Sequence, residues 1–300
     1  IVSDEVEEIN IEDLIKEEDM VILISRLGYI KSVPVTAYKN QGKGGKGSNS
    51  AKLVEDDYIK QLFVASTHDY IVFISTEGKA YWIKVHEIPE AGRASRGSHI
   101  KSLLAIGANE EIATVVSLRE FSEEHHLFMA TANGVIKKVK TADFKNAKTR
   151  GIIAINLDAG DKIVSAILTG GSDDLALASR RGKVLRITET SVRPMGRSSR
   201  GVSGLKLAVG DELTAAVRVD TNANMLLLTE SGYGKRVDFD QFSVHSRGTQ
   251  GQIGYNVTDK TGEVVGVIAA ADSDEVMCIT SQGKTLKLEA SAISRQGQSE

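Results

Sequence analysis

Three observations predict an all-β fold of six propeller-like blades, with about four strands in each. One is a phrase that recurs six times: an apolar run, Ser or Thr, two residues, Gly, then a second run carrying Lys or Arg. Another is the spacing of its turn glycines, Gly28, Gly78, Gly134, Gly182, Gly232 and Gly283, which lie 50, 56, 48, 50 and 51 residues apart. The third is negative: long helical periodicity is absent, and the 300 residues hold only 3 prolines. A single sheet of this length leaves an apolar face bare, so successive units must pack on one another, most simply around an axis.

The elements follow in chain order. Residues 1–19 carry nine acids (Asp4, Glu5, Glu7, Glu8, Glu12, Asp13, Glu17, Glu18, Asp19) against Lys16 alone, which leaves the other 281 residues at +5 within a net charge of −3. This lead-in reads as a solvated segment. Its Ile9, Ile11, Leu14 and Ile15 are expected to help close the ring, because only about a dozen residues follow the sixth hairpin. Competition with a polyanion for the basic surface is a second role to test. Residues 20–300 then read as one six-bladed domain.

The six phrases are VILISRLGYIKSV, IVFISTEGKAYWIKV, LFMATANGVIKKV, LALASRRGKVLRI, MLLLTESGYGKRV and VMCITSQGKTLKL. Each is a hairpin by its chemistry: β-branched and aromatic residues flank a short polar turn that ends in glycine, which tolerates positive φ. Between hairpins lie two further apolar runs, such as 151–157 and 162–168, or 201–207 and 213–219. Hairpin plus two runs makes four strands per unit.

At nearly one phase the repeats carry a loop rich in glycine and cations. These are QGKGGKG (41–47), GRASRG (92–97), NAKTRG (146–151), GRSSRG (196–201), HSRGTQG (245–251) and SRQGQ (294–298). Gly47, Gly97, Gly201 and Gly251 each come 19 residues after a turn glycine, and Gly151 comes 17 after. Equal phase in a cyclic repeat means one edge, so Lys43, Lys46, Arg93, Arg96, Lys148, Arg150, Arg197, Arg200, Arg247 and Arg295 are expected to form a belt that suits a long polyanion. Glycine and serine would let backbone N–H groups reach phosphate oxygens without reading a base. Aromatics make up only 5% of the chain and are missing from these loops, which favours duplex over stacked single strands.

Other chemistry finds little support. Gly42, Gly44 and Gly47 satisfy G-x-G-x-x-G, but the strand and helix of a βαβ unit are lacking. Gly47 separates Lys46 from Ser48, and Asn40 stands where a P-loop needs its first glycine. His125 and His126 follow Glu123 and Glu124 with no second cluster to answer them, so a polar loop is expected there and no metal site. No nucleophile turn supports a catalytic triad. Trp82 and the tyrosines read as core or strand residues. Cys278 is the one cysteine, which rules out a disulfide framework, and no apolar run is long enough to mark a membrane span or export signal. On the residues alone, duplex-DNA binding and a protein-binding scaffold of the WD40 or kelch kind both stay open.

The run EDLIKEEDMVILISRLGYIKSVPVTAY, then QGKGGKG, THDY, MATANGVIKK, SGYGKRV and SRQGQ, in that order along essentially the whole chain, resembles the C-terminal domain of the A-type polypeptide of bacterial DNA gyrase. The family's box has the pattern Q-[RK]-R-G-G-[RK]-G. Gln41, Gly44, Gly45, Lys46 and Gly47 match it, Lys43 substitutes for a basic position and Gly42 departs from it. The resemblance implies a six-bladed β-pinwheel, in which neighbouring blades exchange a strand, that wraps duplex DNA on its rim. With the gyrase A N-terminal region and gyrase B (A2B2), such a wrap orients a DNA segment for ATP-driven strand passage and negative supercoiling in the bacterial cytoplasm, at the nucleoid. Catalytic, ATP and magnesium sites are expected elsewhere in such an enzyme, and none here. The A-type polypeptide of topoisomerase IV is the nearest alternative, though that relative has fewer blades and lacks an intact box.

Overall fold

The strand pairs of the first five apolar phrases are covered on both faces, which continuous apolar runs require and alternating ones do not, whereas Met277 and Leu286 of the sixth stay exposed. A computed structural model describes residues 11–38, 57–92, 95–281 and 285–298. The first hairpin joins β1 (Asp19–Ser25) to β2 (Tyr29–Pro34), and β3 (Ile59–Ser66) follows. The second joins β4 (Tyr70–Ser75) to β5 (Lys79–Lys84), followed by the two-residue β6 (Ser98–His99) and by β7 (Ile112–Leu118). The third joins β8 (His126–Thr131) to β9 (Val135–Lys140), with β10 (Ile152–Ile153) and β11 (Ile163–Thr169) after it. The fourth joins β12 (Asp174–Ser179) to β13 (Lys183–Thr188), then come β14 (Val202–Ser203) and β15 (Leu213–Arg218). The fifth joins β16 (Asn224–Thr229) to β17 (Gly234–Asp238), then β18 (Gln252–Ile253) and β19 (Val264–Ala270). The sixth hairpin is β20 (Glu275–Ile279) with β21 (Thr285–Glu289).

Sheet order shows a strand exchange. The sheets run β3-β1-β2-β6, β10-β5-β4-β7, β11-β8-β9-β14, β15-β12-β13-β18, β17-β16-β19 and β20-β21. Each two-residue strand leaves its own repeat and pairs with the hairpin before it: Ile30 opposite Ser98, Ala80 opposite Ile152, Ile136 opposite Val202, Val184 opposite Gln252. The longer strands that close the other edge stay at home and meet one another, β7 against β11, β11 against β15 and β15 against β19. They form the inner wall of an all-β, propeller-like fold.

The core sits between neighbouring sheets. Ile22, Ile24 and Ile30 pack against Ile71, Phe73 and Tyr81, while Val72 and Ile74, the alternate residues of β4, pack against Leu127 and Met129 of the next sheet. The pattern repeats with Phe128 and Ile136 against Leu177 and Leu185, and with Ala176 and Val184 against Met225 and Leu227. Each fully buried aliphatic or Phe side chain contributes about 1.5–3 kcal/mol.

Three expectations need correction. Sheets of three or four strands number five, and the sixth repeat is a bare hairpin among the described residues, so six blades of about four strands is more than the structure contains. The expected lead-in contacts differ in part: Ile11 and Leu14 are 72% and 75% exposed, Ile15 is half-buried, and Ile9 lies outside the described residues. Residues 11–19 instead lie against the first two sheets, through Lys84 to Glu12 at 2.8 Å, Arg119 to Glu17 at 2.7 Å and His68 to the Ile15 carbonyl at 2.8 Å. Lastly, His126 is no loop residue. It opens β8 and is buried, because the preceding acids end before the strand begins, and burial pushes its imidazole down from the ordinary range.

Candidate nucleic-acid interface

The strand exchange explains where the basic loops fall. Residues 92–97, 146–151, 196–201 and 245–251 lead directly into β6, β10, β14 and β18, so each loop is the crossing from one sheet to the outer edge of the one before. Successive crossings are tied together. The Ala105 amide donates to the Thr149 carbonyl (2.8 Å), Asn156 to Ser199 (3.1 Å) and Lys206 to Thr249 (2.8 Å), each linking the segment after one exchanged strand to the next basic loop. These bonds set the crossings 146–151, 196–201 and 245–251 each beside the segment that follows the exchanged strand before it.

The glycine that ends each loop has a different reason from the one the sequence suggested. Gly97, Gly201 and Gly251 have φ of +86°, +102° and +69°, and an added Cβ would lie 2.4, 2.6 and 2.4 Å from the carbonyl oxygens of Ile30, Ile136 and Val184. The exchanged strand can dock only because its entry lacks a Cβ. Gly151, at +73°, does the same against the ring of Tyr81, with a Cβ–ring approach of 2.3 Å.

Electrostatics divides the cations of these crossings. Lys148 and Arg150 are exposed and make no ion pair among the described residues; Lys148 holds φ of +44°. Arg200 instead grips Asp158 with two nitrogens (Nε to Oδ1 at 2.7 Å, Nη2 to Oδ2 at 2.5 Å), and this hydrogen bond, with the arginine's charge, holds the Asp158 carboxyl below its usual range. Arg295 is paired with Asp238 at 2.6 Å. Arg197 donates to the Ile153 carbonyl at 3.2 Å, and Arg247 to Ser191 and Ser203 at 3.3 and 3.4 Å. Arg96 stacks on Tyr29, 4.2 Å from the ring centroid. Arg93 and the seven residues Gln41, Gly42, Lys43, Gly44, Gly45, Lys46 and Gly47 lie outside the described residues.

Sequence reasoning missed the groups beneath the crossings. Lys31, Lys137 and Lys235 are 2%, 0% and 1% exposed, each three residues past a turn glycine. Lys137 donates to the carbonyls of Ala154 (2.8 Å), Ser199 (2.9 Å) and Arg197. A lysine at that fixed offset in the first, third and fifth phrases was the available signal. Among the described residues no cluster of three metal-ligating side chains occurs, and no helix is long and apolar enough to cross a membrane.

Fold and loops together define a class: an all-β, propeller-like domain with exchanged outer strands whose crossings carry a row of cations. The family described as the DNA gyrase C-terminal domain, beta-propeller, matches residues 19–66, 69–119, 125–169, 173–220, 223–271 and 274–299, and the chain belongs to it. It is 56% identical over 297 residues to the DNA gyrase A protein of Treponema pallidum, covering 99% of this chain and 36% of that one. Against the DNA gyrase A protein of Escherichia coli K12 it is 40% identical over 290 residues, 97% of this chain and 33% of the other. The chain thus spans about a third of the length of these curated relatives. A solved structure of a DNA gyrase A C-terminal domain superposes with a TM-score of 0.79 at 32% identity, covering 94% of this chain and 92% of that one. The C-terminal domain of a DNA topoisomerase IV superposes at 0.78 with 21% identity, over 95% and 88%, a likeness of fold.

Proposed function

We propose that this chain binds duplex DNA along its row of basic crossings and bends it, as the wrapping domain of a gyrase-type, ATP-dependent type IIA topoisomerase. The observation that carries the reading is the row itself: consecutive crossings with cations, hydrogen-bonded blade to blade. Bending 20–30 bp by 40–90° costs roughly 1–6 kcal/mol, so several phosphate contacts must offset it and one loop would not suffice. In this reading Lys148, Arg150, Arg197, Arg247, Arg96 and Arg93 hold successive phosphates, Arg200 and Arg295 line the same path while paired with Asp158 and Asp238, and the box Gln41 to Gly47, with Lys43 and Lys46, fastens one end of the bent segment.

Residues 20–300 act as one wrapping domain in this reading, with 1–19 as an acidic lead-in. In this reading the finer architecture is a pinwheel of six repeats, five of them sheets and the sixth a closing hairpin. The first sheet and the sixth hairpin face each other across a cleft of about 630 Å³ bounded by Leu62 and Val64 of β3, Ile268 of β19 and Met277 of β20, which supports a ring with its seam there. The partners are the gyrase A N-terminal region and gyrase B in an A2B2 enzyme of the bacterial cytoplasm, at the nucleoid. The chemistry, ATP and magnesium belong to those parts, and this domain's share is to present a DNA segment to strand passage in one orientation, so that passage adds negative supercoils.

The test is topological. The domain is bound to nicked circular DNA at low salt, the nick is ligated, the protein removed and the linking number compared with a protein-free control. A shift that scales with bound protein, and that shrinks when Lys43 and Lys46 are both changed to Ala, is expected. Clear binding without any shift would overturn wrapping and leave a passive DNA-binding domain.

A further inference from the structure

The buried lysines are unusual in what they touch. Lys137, on β9, sends its ammonium into three main-chain carbonyls, two of them, Arg197 and Ser199, in the basic crossing 196–201. Lys31 on β2 reaches Ser95 at 2.8 Å and Gly92 at 3.4 Å in the crossing 92–97. Lys235 on β17 reaches Gly297 at 2.8 Å and Gln298 at 2.9 Å in the segment 294–298. The three sites are one device, and it alternates. At the same offset the second and fourth hairpins carry Tyr81 and Leu185, also buried.

We propose that Lys31, Lys137 and Lys235 are positioning residues that clamp alternate crossings of the basic row from beneath, turning the loop carbonyls inward onto a buried ammonium. An ammonium has three donors and no acceptor, so it can be satisfied in a core only by oxygens brought to it. At Lys137 those oxygens belong to the loop backbone, and no carboxylate among the described residues joins them. Burial, with the neighbouring charge of Arg197, lowers this lysine to about 8. The loop conformation and the charge are therefore coupled. With the clamp closed, Arg197 is held on the Ile153 carbonyl and Arg200 on Asp158, in fixed places along the row. The inference rests on the DNA-binding reading for its purpose, but the clamp itself does not.

Lys137→Met tests it, since methionine keeps the length and removes the donors. Trypsin reads the loop directly, because it cuts after arginine. Cleavage after Arg197 and Arg200 is expected to rise by ~tenfold or more, while cleavage after Arg247, in a crossing over Leu185, stays at the wild-type rate. Duplex-DNA affinity is expected to fall, and the melting temperature to drop modestly, since removal of the ammonium leaves its carbonyl partners to find water. Restoring the ammonium should restore both readouts. This is done with Lys137→Cys in a Cys278→Ser background, alkylated with 2-bromoethylamine while unfolded and then refolded.

Wild-type cleavage after Arg197 and Arg200 in Lys137→Met would overturn the clamp. So would loss of DNA affinity that the restored ammonium fails to rescue. If the wild-type domain binds no duplex, the proposed function fails, and the trypsin arm still decides the clamp. Should Lys137→Met not fold, Lys31→Met with cleavage after Arg96 carries the same two outcomes.

Discussion

Lys148 and Arg150 occupy one crossing with no carboxylate partner among the described residues, whereas Arg200 in the next is tied to Asp158, and this difference gives a quantitative expectation for salt dependence. Each neutralised phosphate contributes about 0.9 to the slope of log affinity against log salt. Changing Lys148 and Arg150 together to Gln should therefore flatten the slope by about 1.8, so that the loss of affinity between 50 and 200 mM salt becomes roughly 12-fold smaller than in the wild type. Changing Arg200 to Gln and Asp158 to Asn together removes a neutral pair and should move the slope by less than about 0.5. Asp158→Asn alone frees the guanidinium and should raise affinity and steepen the slope by up to about 0.9. Fluorescence anisotropy with a labelled duplex at several salt concentrations measures all four proteins. An unchanged slope in the Lys148/Arg150 variant refutes the placement of crossing 146–151 on the DNA path. A fall of nearly one unit in the Arg200/Asp158 variant refutes the retention of that ion pair.

Two further expectations concern the fold. Gly201→Ala places a Cβ 2.6 Å from the Ile136 carbonyl oxygen at φ +102° and should cost ~2 kcal/mol or more, seen as a lower melting temperature, whereas Gly196→Ala, with nothing within 4 Å of its Cβ, should be nearly neutral; equal melting of the two would remove the close-approach argument. The lead-in should undock with acid. A hydrogen bond from Lys84, aided by the charges of Lys84, His68 and His86 and opposed by burial, holds the Glu12 carboxyl below its usual range, so its contribution is present above the unfolded-state value near 4.5 and is lost as pH falls through the depressed folded value. Both groups are partly exposed, so the effect is below ~1 kcal/mol. Urea melts across that window should show an acid-side loss in the wild type that Lys84→Met lacks, and parallel profiles would show that the pair contributes nothing.

Much of this protein was legible in its sequence because a repeat multiplies weak signals. One apolar hairpin phrase says little, but six at a spacing near 50 residues fix the hairpins, their turn glycines and the common phase of the basic loops, and hairpin formation is local chemistry that needs no distant partner. The tertiary structure decided what depends on neighbours. The two-residue strands Ser98–His99, Ile152–Ile153, Val202–Ser203 and Gln252–Ile253 have no periodicity of their own, and only docking on the preceding hairpin makes them strands. That docking reassigns the loop-final glycines from phosphate approach to backbone approach. It buries Lys31, Lys137 and Lys235, which in sequence look like any solvent-facing lysine of a hairpin, beneath crossings roughly 60 residues away in the chain. Charge pairing such as Arg200 with Asp158 is equally invisible one residue at a time, because a pattern of residue types sets the sign of a surface while only the fold sets which charges already have a partner.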